Sequence, residues 1–116
     1  MRFRAPLLLL LLFISHQTHA QEDIRVGVGA LSCAEVAKVM TSKSEESKML
    51  LVSWMQGYLA GMNTVQSALA PDRGIKSIPD SDSLQAHILL FCKQNSNVKL
   101  IHAATAFFTQ LPAAKK

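Results

Sequence analysis

The sequence predicts a small all-α domain, a bundle of about four helices with one disulfide. Three observations lead to this prediction. Apolar residues recur at helical spacing in several segments, an export signal precedes them, and the chain contains two cysteines, Cys33 and Cys92. Because proteins that fold in an oxidising compartment pair their cysteines, we expect one Cys33–Cys92 disulfide rather than a zinc site or a nucleophilic thiol.

Residues 1–20 have the three-part pattern of a cleavable secretory signal. Arg2 and Arg4 precede an apolar run over residues 7–14, and Ala20 is the small residue at the predicted cleavage site. This run is far shorter than the about 20 residues that a membrane span needs. We therefore predict export to the periplasm, or secretion, without a stable membrane anchor.

The predicted mature chain, residues 21–116, is one domain and only weakly basic. Without Arg2 and Arg4, ten Lys and Arg remain against eight Asp and Glu, a net charge of +2. Like charges form no block, and one Trp and one Tyr are available for base stacking, so nucleic-acid binding is disfavoured. A domain of this size is marginally stable, and a disulfide that closes a loop of 59 positions contributes roughly 4 kcal/mol.

The start of the mature chain predicts a loose lead-in followed by a short helix. Residues 21–32 contain two glycines and no apolar period, which is typical of a loose segment. Ser32 is a good N-cap for a helix over residues 33–40, whose apolar side chains fall on one side. Ser42 and Glu45 form a capping-box pattern that predicts where the next helix starts.

The longest predicted helix covers residues 45–69 and forms the centre of the fold. Gly57 and Gly61 each cost this helix about 1 kcal/mol relative to alanine. We expect a neighbouring helix to approach the backbone closely at both glycines, and the alternative is a groove that accepts a partner. Trp54 and Tyr58 are expected to anchor the core beside them. The apolar stripe of this helix consists of Leu51, Trp54, Met55, Tyr58, Gly61, Met62, Val65 and Leu69.

Two further helices complete the predicted bundle. Asp82 is a good N-cap for a helix over residues 83–93, and a last helix covers residues 98–110. Pro112 stops the last helix, and residues 112–116 are expected to form a mobile tail. In this arrangement the disulfide ties the start of the first helix to the end of the third.

No residue pattern in this sequence predicts catalysis, a cofactor or a metal site. The acidic pairs within residues 45–46 and 80–82 stand at predicted helix starts, where carboxylates stabilise the positive end of a helix. His87 is expected at the edge of an apolar face, and His102 on a polar one. Phosphate-binding glycine loops and nucleophile elbows are absent from the sequence. We therefore predict a protein that binds other proteins and is not an enzyme.

The run from Trp54 to Asn63 resembles the W-x-x-G-Y-L-x-G-x-N signature of HdeA/HdeB-like periplasmic proteins. The resemblance extends to Cys33, which opens a short helix, and to the helix that starts near Asp82 and closes on Cys92. Proteins similar to this are small helical bundles with one disulfide. Their best-known members are acid-stress chaperones that dissociate and partly unfold at low pH to bind other periplasmic proteins. The resemblance thus implies a monomeric or dimeric HdeA-like chaperone without enzymatic activity.

Charge explains how such an activity would arise in this chain. Below about pH 3 the carboxylates are protonated, and the side-chain charge of the mature chain rises from +2 to about +12. Self-repulsion would open the bundle while the disulfide limits its expansion. The candidate partner surface that would then be exposed consists of Leu51, Trp54, Tyr58 and Met62.

Two other functions remain open at this point. Immunity proteins of the Rap1a/Tai type are a second group of small periplasmic helical proteins with a Gly-Tyr-x-x-Gly helix, and they neutralise cell-wall hydrolases. An immunity protein would use a native surface, with the loop over residues 71–82 as the candidate, and would bind one toxin at neutral pH. A structural subunit of an envelope assembly would show neither activity.

Overall fold

Four α-helices make up most of residues 27–115, the part of the chain that the computed structural model describes. The predicted export signal and residues 21–26 lie outside this part. Within it, the only extended pairings are two isolated bridges. The predicted all-α class with one disulfide is confirmed. The helices are α1 (Cys33–Met40), α2 (Glu45–Leu69), α3 (Ser81–Gln94) and α4 (Leu100–Gln110), with short 3-10 turns at Gly27–Ala30 and Pro71–Arg73.

Serine side chains set the starts of α1 and α2. The Ser32 hydroxyl accepts the Glu35 N–H at 3.3 Å, and the Glu35 carboxylate accepts the Ser32 N–H at 2.8 Å, which completes a capping box. The N-cap of α2 is Ser44 and not the predicted Ser42. Ser42 instead donates its hydroxyl to the Val39 carbonyl at 2.7 Å, because it lies in the turn that ends α1.

The starts of α3 and α4 also differ by two residues from the prediction. Asp80, and not Asp82, caps α3, since its carboxylate accepts the Ser83 N–H at 2.8 Å. Asp82 lies in the first turn, where its charge still favours the helix. The start of α4 is Leu100, because the preceding Lys99 is extended and forms a bridge with the N-cap residue of α1.

The Cys33–Cys92 disulfide joins the first residue of α1 to the last turn of α3, as predicted. The two Cα atoms are 4.5 Å apart, and both cysteines are buried. Two backbone hydrogen bonds reinforce this junction. The Cys33 N–H donates to the Val98 carbonyl at 2.7 Å, and the Ala34 N–H donates to the Ser96 carbonyl at 3.0 Å. The start of α1 is therefore attached both to α3 and to the turn that follows it.

The buried core lies around residues 51–59 of α2. All buried residues of this helix fall between these positions, and its last ten residues contribute none. The other three helices pack against α2 and supply most of the remaining core. The buried apolar residues are Cys33, Val36, Met40, Leu51, Val52, Met55, Leu59, Leu84, Ile88, Cys92, Leu100, Ala103, Ala104, Phe108 and Leu111.

The segment before α1 is packed against the bundle over residues 27–32. Gly29 is buried, and a Cβ atom at this position would lie 2.7 Å from Cη2 of Trp54. The Leu31 carbonyl accepts the Leu100 N–H at 2.9 Å. The predicted loose lead-in is therefore wrong for these residues, because contacts with α2 and α4, which are distant in sequence, fix them.

The segment after α4 is also attached to the bundle. The Pro112 carbonyl accepts the Ser77 N–H at 2.8 Å, and the Ala114 N–H donates to the Ile75 carbonyl at 2.9 Å. Residues 112–114 of the predicted mobile tail are therefore hydrogen-bonded to the linker between α2 and α3. These residues pair in extended form with the linker between α2 and α3, which supplies the missing hydrogen-bond partners.

Candidate functional site

The apolar stripe of α2 divides into a buried part and an exposed part. Leu51 and Met55 are each 2% exposed, whereas Val65 is 57% exposed and Leu69 is 81% exposed. Side chains between these extremes are half-buried and pack against the edge of the core; they are Trp54, Tyr58 and Met62. The stripe therefore leaves the core about halfway along the helix and continues into solvent.

An open groove follows the exposed part of the stripe. It encloses a volume of about 660 Å³, and its walls are mainly apolar. One wall comes from α2, and Phe108 of α4 and Arg73 of the linker complete the lining. We term it the α2 groove, and its lining residues are Gly57, Tyr58, Gly61, Met62, Val65, Gln66, Leu69, Ala70, Arg73 and Phe108.

Gly57 and Gly61 line this groove and do not contact another helix. Both are exposed, and a Cβ atom added to either would meet no atom within 4 Å. The predicted close approach of a helix is therefore wrong. The buried Leu59 lies about 200° around the helix from either glycine, so the glycines face away from the core at this level of α2. The glycine that does permit a close approach is Gly29, beneath the ring of Trp54.

Two aromatic rings mark the border between the core and the α2 groove. Trp54 and Tyr58 stack with ring centroids 5.2 Å apart and an interplanar angle of 15°. The Tyr58 hydroxyl lies 2.9 Å from Thr105 Oγ1 on α4. Both rings are half-buried, so the predicted core anchors lie at the edge of the core and not within it.

Polar side chains of α2 fix the linker that borders the groove. Asn63 donates to the Lys76 carbonyl at 2.9 Å and accepts the Lys76 N–H at 2.7 Å. Gln66 donates to the Gly74 carbonyl at 2.6 Å. The Lys76 ammonium group in turn donates to the Leu111 carbonyl at 3.0 Å. These bonds hold the linker against both α2 and the end of α4, and so they fix the shape of this end of the groove.

Two exposed carboxylates away from the groove have lowered pKa values. The backbone hydrogen bond from Ser32 is the main cause that lowers the pKa of Glu35, and the bond from Ser83 is the main cause for Asp80. These carboxylates stabilise the starts of α1 and α3, the two helices that the disulfide joins. Protonation at low pH removes this stabilisation from both helices.

Residues 27–115 contain no cluster of three or more His, Cys, Asp or Glu side chains that could hold a metal ion. Over the same range, every helix is too short or too polar to cross a membrane. His102 is exposed, as expected from the sequence. His87 is also exposed, and its ring packs against Phe107 with centroids 5.0 Å apart.

Folding brings together part of the predicted partner surface. Tyr58 and Met62 line the α2 groove, and Trp54 adjoins it through the stacked pair. Leu51 is buried in the core and is not accessible in this fold. Sequence reasoning missed Phe108, because only the folded chain places α4 beside α2. A comparison with protein-family models, curated proteins and solved structures finds no match to this chain.

Proposed function

We propose that this chain is an exported, non-enzymatic protein of the HdeA/HdeB-like kind, and that it binds apolar segments of other proteins through the α2 groove. The observation that carries the proposal is the exposure of Val65 and Leu69 along this groove. Exposed apolar surfaces of this kind mark interaction sites in soluble proteins. An apolar segment of a partly unfolded protein would remove these side chains from water.

The dimensions of the α2 groove support this choice of partner. The helix rises about 18 Å from Gly57 to Leu69, which matches about three turns of a bound helix or about five residues of an extended segment. Gly57 and Gly61 have no side chains, so the backbone of a bound segment can approach α2 closely. The Met62 side chain is flexible and adapts to different sequences. A groove of this kind is better suited to binding segments of many different proteins than to binding one specific partner.

Acid would enlarge the binding surface. Protonation of Glu35 and Asp80 weakens the starts of α1 and α3, and the growing positive charge favours expansion of the bundle. The Cys33–Cys92 disulfide keeps α1 and α3 joined while they separate from α2. The face around Leu51 and Met55 would then be exposed, so the predicted partner surface becomes continuous with the α2 groove. These steps make up the acid-stress form of the proposal.

The proposal is tested by light scattering of an acid-sensitive client protein with and without the mature chain. We expect suppression of aggregation at about pH 3 and little effect at about pH 7, because protonation exposes the additional surface. The Leu69→Lys variant should suppress aggregation less than the wild type. Ala68→Lys is the matched control, since Ala68 is exposed on the same turn of α2 and does not line the groove.

Three outcomes would contradict this function. Equal suppression by the Leu69→Lys and Ala68→Lys variants would show that the groove is not the binding surface. Absence of suppression at both pH values would exclude a chaperone. One-to-one binding of a cell-wall hydrolase at neutral pH, unaffected by Leu69→Lys, would instead identify an immunity protein.

A further inference from the structure

A second cavity lies between α3 and α4, and it shares no lining residue with the α2 groove. Its volume is about 140 Å³. Met55 of α2, Ile88 of α3 and Ala103 of α4 are among its buried lining residues, so they form its floor. His87 and Gln94 are exposed and form part of its rim. We term this cavity the α3–α4 pocket.

The lining of the α3–α4 pocket has no charged side chain. Asp, Glu, Lys and Arg are all absent from it, and its polar groups are the rim imidazole of His87 and the rim amides of Gln94 and Gln110. Transfer of a charged ligand into such a site would cost desolvation free energy, and no charged group in the lining would offset that cost. The pocket therefore favours a neutral molecule with few polar atoms.

The size of the pocket limits the ligand to about one ring. An apolar cavity of about 150 Å³ in a protein interior holds one benzene molecule. At about 140 Å³ the α3–α4 pocket has nearly this volume, and it opens to solvent between exposed side chains. The second ring of a fused or linked pair would extend out of this space into solvent, while a single water molecule would find an apolar floor with few hydrogen-bond partners.

The lining also favours an aromatic ring over an aliphatic one. The rings of His87 and Phe107 lie 5.0 Å apart at an interplanar angle of 52°, and Phe91 contributes a third ring. Two sulfur atoms, from Met55 and from Cys92 of the disulfide, belong to residues of the same lining. Edge-to-face and sulfur–aromatic contacts both stabilise a bound aromatic ring.

We propose that the α3–α4 pocket is a binding site for a small, neutral, single-ring aromatic molecule. The proposal is independent of protein binding at the α2 groove, since the two sites have separate lining residues. His87 is held at the rim by its contact with Phe107 and by the 3.3 Å approach of Nδ1 to the Ser83 carbonyl. The bound ring would lie beneath this imidazole and above Ala103.

The test is a titration of the ¹³C-methyl-labelled mature chain with benzene, followed by NMR. We expect saturable shifts at the methyl groups of Met55, Ile88 and Leu100, which line the pocket. Benzoate has the same ring but carries a charge, and it should bind at least about tenfold more weakly because its carboxylate would be desolvated without a partner.

The variant Ala103→Leu fills the pocket and should abolish the saturable shifts. Ala86→Leu is its matched control, because it adds the same side chain at an exposed position of α3 outside the pocket. If Ala103→Leu does not fold, the comparison of benzene with benzoate in the wild type decides whether the pocket selects a neutral ring. Shifts that do not saturate, shifts centred on Met62 and Val65, or equal affinity for benzoate would overturn the proposal.

Discussion

Leu59 and Leu69 lie on the same helix, ten positions apart, and have opposite surroundings. Leu59 is fully buried, whereas Leu69 is 81% exposed. The helices α1, α3 and α4 and the 3-10 turn of the linker all pack against α2. The apolar period continues along the whole helix, but no residue after Leu59 is buried.

The comparison teaches that periodicity identifies an apolar face and does not say whether the fold covers it. A contiguous apolar face that the fold leaves open costs free energy in water, and such faces mark interaction sites in soluble proteins. In this protein the uncovered face includes Gly57 and Gly61, which line the α2 groove. The buried residues 51–59 of α2 thus serve stability, and we propose that the exposed face along the groove serves binding.

The test with the largest expected effect removes the disulfide that joins α1 to α3 beside the buried part of α2. We expect C33A/C92A to lower the free energy of unfolding by about 4 kcal/mol, since the unfolded chain regains the entropy of an open loop. Urea denaturation followed by circular dichroism measures this change, with reduction of the wild type by dithiothreitol as the parallel experiment. An unchanged midpoint would mean that α1 and α3 are held together by packing alone.

The sharpest test compares the two leucines directly. Leu59→Ala should destabilise the protein by about 3 kcal/mol, because it leaves a cavity in the core. Leu69→Ala should change stability by less than about 0.5 kcal/mol, because the side chain is largely in water already. Urea midpoints of the two variants measure the difference. Similar losses for both would show that the second half of α2 is covered in solution.

Alanine substitutions at two glycines should change stability by smaller amounts and in opposite directions. Gly29→Ala should cost about 1–3 kcal/mol, because its Cβ atom would collide with the ring of Trp54. Gly61→Ala should stabilise the protein by about 0.5–1 kcal/mol, because the position is helical, exposed and free of neighbours. Thermal melting of both variants measures these changes in stability. Destabilisation by Gly61→Ala would indicate that another helix does pack closely against Gly61.

The smallest expected effect is the acid dependence of the helix starts. The folded-state pKa of Asp80 is lowered, so its contribution is present at neutral pH and is lost as pH falls through that pKa. Asp80→Asn keeps a good N-cap without the titration. We therefore expect a shallower loss of stability for this variant between about pH 5 and pH 2. If the stability of the variant and of the wild type fell equally steeply with pH, other carboxylates would be the cause of the acid sensitivity.

The sequence predicted those structural features that depend on residues close together in the chain. The bounds of α1 and α2 follow from apolar spacing and nearby caps, and both were predicted correctly. The caps of α2 and α3 were each missed by two residues, because suitable serines or aspartates stand close together there. The cap is chosen by the turn that precedes the helix, which depends on how the previous helix ends.

Contacts between distant segments account for the remaining errors. The packing of Gly29 under Trp54 and the pairing of Ala114 with Ile75 join parts of the chain that no local pattern links. The same reason explains the candidate site. Tyr58 and Met62 were predicted from the stripe of α2, but Phe108 reaches the groove only because α4 folds back beside that helix.

The position of Trp54 gives the protein a natural optical reporter. It is the only tryptophan in the sequence, and its ring lies between Gly29 of the N-terminal turn and Tyr58 at the groove. Its emission should therefore respond both when the N-terminal turn detaches and when a segment binds near Tyr58. Opening and occupancy of this domain can be followed in real time without any added dye.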